Sequence, residues 1–155
     1  CNPCFKNHLD ASALVFFAFT FEAYLNHVGA EEIQFWDEIE RISYQKKLTV
    51  LSRQLGFAKD LSKPPLQIIL ELFKFRDALA HGRTETTTVK VTGSAPPPHD
   101  AVCYLLPAEK LTPEVVRRYH DEVQAAVEFI NSARPKPDRL VWDQGSRSSV
   151  TSYTK

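Results

Sequence analysis

The chain predicts an all-α domain, a bundle of about five helices. Three observations carry that reading. Apolar residues recur at the i, i+3, i+4 spacing of a helix in several separate stretches. Proline, threonine, serine and glycine stand where those stretches begin and end. A single region, around 85–106, departs from the helical period, so a small β-hairpin or an extended insertion is expected there, before the last helix. With 155 residues the chain is long enough to bury a sizeable core in one domain.

The first helix is expected over about 10–28, rich in phenylalanine and apolar nearly all round, which marks it as central rather than superficial. Its uninterrupted apolar run, 13–19, is too short to span a bilayer, and the next two turns are broken by Glu22 and Asn26. A buried helix is therefore expected, with no membrane or signal segment and with Gly29 as its stop. Glu22 and Asn26, one turn apart, put polar groups on an apolar surface. Residues 31–42 read as a shorter amphipathic helix with Ile33, Trp36, Ile39 and Ile42 on one side and acidic residues in the first turn. Ser43 then caps a helix running to Leu55, with Leu48, Leu51 and Leu55 inward, Lys46, Lys47 and Arg53 outward, and Gly56 as its end.

The next helix, 66–82, is the one around which the chain is organised. Pro64 and Pro65 precede it and Gly82 is placed to end it. At about 100° per residue, Ile68, Ile69, Leu72, Phe73, Phe75, Leu79 and Ala80 cover more than half the circumference. Gln67, Glu71 and Lys74 share a narrow polar strip, with His81 at its edge. Arg76 does not join them: it falls inside the apolar arc, between Leu72 and Ile69, and Asp77 falls between Phe73 and Leu70. Charges inside an apolar face need partners or a task.

Past the β-like insertion (about 84–107), Thr112 is an N-cap, with Pro113 at the first helical position and Glu114 after it. Val116, Tyr119, Val123, Ala126, Val127 and Ile130 form one clean stripe to about Ala133, so this helix packs on the outside of the bundle. The domain is expected over 1–133. Residues 134–155 read as a flexible tail in which Leu140, Val141 and Trp142 are the residues able to dock.

Composition narrows the function. Nineteen basic residues balance nineteen acidic ones, which removes any global electrostatic case for nucleic-acid or membrane binding and leaves only local sites. Three cysteines are too few for a disulfide framework and fit a reducing, cytoplasmic setting. No methionine occurs, even at position 1, as expected of a processed or trimmed chain. Cys1 and Cys4 form a C-x-x-C near His8, but a structural zinc site needs four ligands and no second C-x-x-C exists. Ordinary thiols are expected, with no metal. No Gly-rich phosphate loop or nucleophile motif is present.

The block Arg76-Asp-Ala-Leu-Ala-His81 is an R-x4-H arrangement at the end of an apolar helix. With the earlier helix bearing Phe21-Glu-Ala-Tyr-Leu-Asn26, it resembles the HEPN superfamily of small α-helical domains, over about residues 8–133. The resemblance implies metal-independent endoribonuclease activity, with no cofactor, in a homodimer whose motif helices together build one cleft. It implies that Arg76 binds the scissile phosphate and that His81 transfers protons around attack by the 2′-hydroxyl. The usual settings of such proteins are toxin–antitoxin, defence and RNA-processing systems, so a cognate antitoxin or regulatory protein belongs among the expected partners.

The chemistry stands on its own terms. A guanidinium offers a rigid fork to phosphate oxygens, and an imidazole titrates near neutrality. On one ideal helix the two side chains diverge by about 140°, which favours a cleft shared between two chains or a distorted last turn. Supporting roles are expected for Asp77, which can orient His81 or pair with Arg76, and for Glu22 and Asn26, which can hold Arg76. The structural alternative is an ion pair that only sets helix register and a histidine that only caps a helix. Asp77 beside the phosphate-binding arginine also lowers local positive charge. This sustains a second reading, a catalytically inactive HEPN-like module that binds a nucleotide, RNA or a protein partner. A third is a purely structural dimerisation domain.

Overall fold

A computed structural model describes residues 3–81, 111–138 and 140, with side chains from His8 onward. The described residues are all helical in their regular structure. Five helices follow one another: α1 Pro3–Glu32, α2 Trp36–Ile39, α3 Tyr44–Leu55, α4 Gln67–Ala80 and α5 Pro113–Ser132. The insertion expected at 84–107, Gly82 and the tail beyond 140 lie outside the described residues, as do the side chains of the C-x-x-C.

Helix α1 is the spine. Its apolar residues at helical spacing, Ala11, Leu14, Ala18, Phe21, Leu25 and Val28, form one buried stripe. Against it pack Leu48 and Leu51 of α3, Ile69, Leu72 and Phe73 of α4, and Val123, Ala126, Val127 and Ile130 of α5. The segment His8–Glu32 is long and apolar enough to cross a membrane by composition. Here that apolar stripe is the centre of the bundle. Lys47 and Gln54 of α3 reach Glu22 and Glu32 of α1 in that order, so α3 runs in the direction of α1. His120 lies beside Phe17 and Arg134 beside Glu32, so α5 runs the same way.

Several local expectations are corrected. Gly29 does not stop α1, which continues to Glu32, and the Ile33 N–H still donates to the Gly29 carbonyl at 2.9 Å. Glycine is required there because the chain turns at Ile33 and returns Trp36 over the helix; a Cβ on Gly29 would overlap the Trp36 indole. The amphipathic stretch 31–42 is thereby divided: its start belongs to α1, and the single turn α2 carries the buried Trp36. By contrast α3 has the expected bounds, with Gly56 left-handed at φ 77°. So does α5, whose Thr112 hydroxyl accepts from the Val115 N–H at 3.3 Å, with Pro113 at the first helical position.

Residues 134–138 and Leu140 belong to the fold rather than to a tail. Arg134 is buried, its guanidinium enclosed by Glu31, Glu32 and Asp138. Asn131 fixes the turn in both directions, donating to the Asp138 carbonyl and accepting from the Asp138 N–H, each at 2.9 Å. Leu140 docks, as expected. The charges that hold this end are invisible to an apolar-pattern reading, which sees only a proline-rich exit.

Two measurements check this frame. In an ordinary helix interior Gly→Ala stabilises by about 1 kcal/mol; Gly29→Ala is expected to destabilise by about 1–3 kcal/mol in denaturant unfolding, because the overlap with Trp36 outweighs the propensity gain. A variant as stable as the parent would mean that Trp36 is seated elsewhere. Burial pushes the Tyr24 hydroxyl, beside Arg134, up to about 12. The folded chain thus holds a proton that the unfolded chain releases near pH 10, and stability present below that pH is lost between about 10 and 12. Tyr24→Phe should shrink the loss measured between about pH 9 and about pH 11.5.

Candidate functional site

Helix α4 is buried in its first half and leaves the core in its second. Ile68, Ile69, Leu72 and Phe73 are buried, whereas the whole of 77–81 is exposed. Leu79 and Ala80, expected on the buried arc, are therefore surface residues. Arg76 sits at the changeover. Its guanidinium carbon lies 4.7 Å from the centroid of the Phe73 ring, one turn earlier on the same face. Phe73 in turn stacks on Tyr44 of α3 at 3.7 Å and meets the edge of Phe21 of α1. Three helices thus build the aromatic floor beneath one arginine.

The charges on that floor are paired. Arg76 Nη1 donates to Glu22 Oε2 at 2.9 Å, across from α4 to α1. Arg76 Nε and Nη2 donate to a single oxygen of Asp77, at 3.0 and 2.7 Å. Glu22 Oε1 accepts from Lys47 Nζ at 3.0 Å. The cluster Arg76, Lys47, Glu22 and Asp77 carries two positive and two negative charges.

Of the residues expected at a site, the structure brings Arg76, Asp77 and Glu22 together. Asn26 is not part of the cluster; its Oδ1 is buried without a hydrogen-bond partner among the described residues. His81 closes α4, its backbone N–H donating to the Asp77 carbonyl at 3.0 Å. Its imidazole is exposed, and Asp77 directs its carboxylate to Arg76 rather than to His81. Two further basic residues, Arg117 and Arg118, lie with Glu114, Asp121 and Glu122 on the surface of α5, and Arg118 borders the N-terminal half of α4 at Gln67 and Glu71. They do not join Arg76. Arg83, a basic residue two positions past His81 in the sequence, lies outside the described residues.

Two residues of the site escape sequence reasoning. Lys47, expected outward, is buried, and Tyr44 carries no expected role. A signal for both exists: Tyr44, Lys47, Leu48 and Leu51 are spaced i, i+3, i+4, i+7 on one face of α3. The presumption that lysine faces solvent overrides the period. Burial also raises the Tyr44 hydroxyl above its ordinary range, with the Asp77 charge adding to the effect.

A second polar group lies at the other end of α1. His27 Nε2 is 3.0 Å from Asp138 Oδ2 and 3.9 Å from Glu31 Oε1. Among the described residues these three offer ligand atoms close enough for a metal ion. Arg134 already occupies both carboxylates, so a divalent cation would face a buried guanidinium, and the arrangement is that of a structural clamp.

Comparison with models of known protein families, with curated proteins and with solved structures finds no match.

Glu22 carries more structural weight than Asp77. The Lys47 side chain is 3% exposed and that of Glu22 28%, so Glu22→Gln strands a buried ammonium and should cost about 2–3 kcal/mol in urea unfolding. Asp77→Asn breaks only a pair at the protein surface and should cost less than about 1 kcal/mol. Equal losses would show that Lys47 does not depend on Glu22.

Proposed function

We propose that the chain is a metal-independent endoribonuclease of HEPN type, cleaving RNA by 2′-hydroxyl attack at a composite site in a homodimer. The observation that carries this reading is the pairing of the R-x4-H helix end with Glu22 of a neighbouring helix. Arg76 is held over Phe73 by a carboxylate from α1, at the point where α4 emerges from the core. His81 stands exposed one turn further on, where its imidazole would meet a substrate. In this reading Arg76 binds the scissile phosphate and stabilises its developing charge, while His81 exchanges protons with the attacking or leaving oxygen.

The divergence of the two side chains, about 140° on one helix, is answered by a second chain supplying its own helix end. Exposed apolar residues support such pairing: Phe16 and Phe19 of α1, 66% and 50% exposed, and Leu79 of α4. The cytoplasm and a toxin–antitoxin, defence or RNA-processing setting, with an antitoxin or regulatory partner, belong to the same proposal.

Two observations favour a second reading, a catalytically inactive module that binds a nucleotide, RNA or protein partner. The fork of Arg76 is already occupied by Asp77, and the chain has no excess positive charge to draw RNA in.

The test is cleavage of a mixed single-stranded RNA pool in EDTA. Wild type should cut it to products with cyclic phosphate ends, and Arg76→Ala and His81→Ala should each lose at least about a hundredfold in rate while remaining folded and dimeric. Intact RNA after incubation with wild type would leave the binding module as the surviving reading.

A further inference from the structure

Lys47 has no task in the ribonuclease chemistry, yet its ammonium is almost wholly buried. A charge in that position needs an opposite charge, and Glu22 supplies it. The carboxylate of Glu22 is divided between two cations from two helices: Oε1 takes Lys47 Nζ at 3.0 Å, and Oε2 takes Arg76 Nη1 at 2.9 Å. With Lys47 cancelling the single negative charge of Glu22, the charge of Arg76 is balanced, among the described residues, by Asp77 alone.

Asp77 is a different kind of partner. Its side chain is 51% exposed, and rotation about χ1 takes the carboxylate into water, where it is solvated at little cost. It holds Nε and Nη2, the edge of the guanidinium that presents two parallel N–H groups to an oxyanion. Glu22 holds the remaining Nη1 and, with the Phe73 ring beneath, keeps the guanidinium in place when Asp77 leaves. The cluster is thus a fixed part, Lys47–Glu22–Arg76, and an exchangeable anion.

We infer that Lys47 is a positioning residue for an anion site on Arg76: by neutralising Glu22 it leaves the Nε–Nη2 edge held, among the described residues, by Asp77 alone, and a phosphate group takes the place of Asp77 there. The inference rests on the reading of Arg76 as a phosphate-binding group and adds the charge that makes the site exchangeable. Without Lys47, Arg76 would face two carboxylates and an entering phosphate would meet a net negative site.

The probe is inorganic phosphate, titrated at low ionic strength and followed on the Arg76 Nε–Hε resonance of 15N-labelled protein, assigned by its loss in Arg76→Lys. Wild type should show a saturable shift. Lys47→Met should weaken binding about tenfold, and Lys47→Arg should retain it. Lys47→Met with Glu22→Gln, which removes the carboxylate that Lys47 neutralises, should bring binding back to within about threefold of wild type. Asp77→Asn should bind about tenfold more tightly, since no internal anion competes. Thermal unfolding shows which variants are folded, and the Asp77→Asn comparison decides the matter if Lys47→Met is not.

An Arg76 resonance indifferent to phosphate, a Lys47→Met protein that binds like wild type, a double variant as weak as Lys47→Met, or Asp77→Asn with unchanged affinity would each overturn the inference. A parallel titration with a 2′-O-methyl oligonucleotide separates a nucleic-acid phosphodiester from free phosphate as the ligand. RNA cleavage by a protein whose Arg76 ignores phosphate overturns this inference and leaves the ribonuclease reading standing; a phosphate response with RNA left whole does the reverse.

Discussion

The carboxylate of Glu22 is the constraint on which the middle of the bundle depends. Apolar packing draws α3 and α4 onto α1, but it is non-directional and tolerates small slips of one helix along another. A carboxylate that must serve Lys47 with one oxygen and Arg76 with the other does not. Its energetic return is modest, because burying charges costs much of what their attraction contributes. Its geometric return is larger: it places three helices in one register and presents Arg76 at the point where α4 leaves the core. The aromatic floor of Phe73, Tyr44 and Phe21 does the complementary work, excluding water from beneath the guanidinium.

The far end of α1 repeats the device with the signs reversed. There one buried guanidinium, Arg134, gathers the carboxylates of Glu31, Glu32 and Asp138 and ties the chain after α5 back to α1. In both clusters a cation is largely withdrawn from water and its partners are partly exposed. The two differ in balance. Arg134 is outnumbered by its acids, which holds its proton even more firmly than usual, whereas the Glu22 cluster is neutral and its outermost member, Asp77, is half in solvent. Glu31 at the Arg134 end is as open to solvent as Asp77, so charge balance is what separates the two. Arg134 keeps other acids if one partner leaves, whereas the departure of Asp77 leaves the Glu22 cluster with one positive charge in excess.

That difference is what separates the two functional readings. Both use Arg76 as a structured, largely desolvated cation, and Asp77 weighs more on the ribonuclease, which needs the fork open to a scissile phosphate. If the carboxylate yields to a phosphate, the exposed His81 and the apolar surfaces of α1 and α4 supply the remaining parts of a shared catalytic cleft. If it does not, the same surfaces serve recognition without chemistry. Zero net charge weighs more on the ribonuclease than on a module that serves a nucleotide or a protein partner, since affinity for RNA must then come from local contacts rather than from the field of the whole chain.

By itself the sequence determined what local physics can decide. Helical periodicity, Thr112 and Pro113 at the start of α5 and a left-handed Gly56 after α3 are signals carried within a few residues, and they set the all-α class and the bounds of those helices. The intrusion of Arg76 and Glu22 into apolar faces was legible for the same reason, as a conflict within each helix. Tertiary structure alone decided how the conflict is resolved. Nothing local says that Trp36 returns to the face of Gly29, that Lys47 turns inward, that Arg134 is buried, or that Asp77 takes Arg76 rather than His81. Each of these depends on a partner far away in the chain or on a choice between two equally short reaches, and a charge has no preferred side until the fold brings its counter-charge within hydrogen-bonding distance.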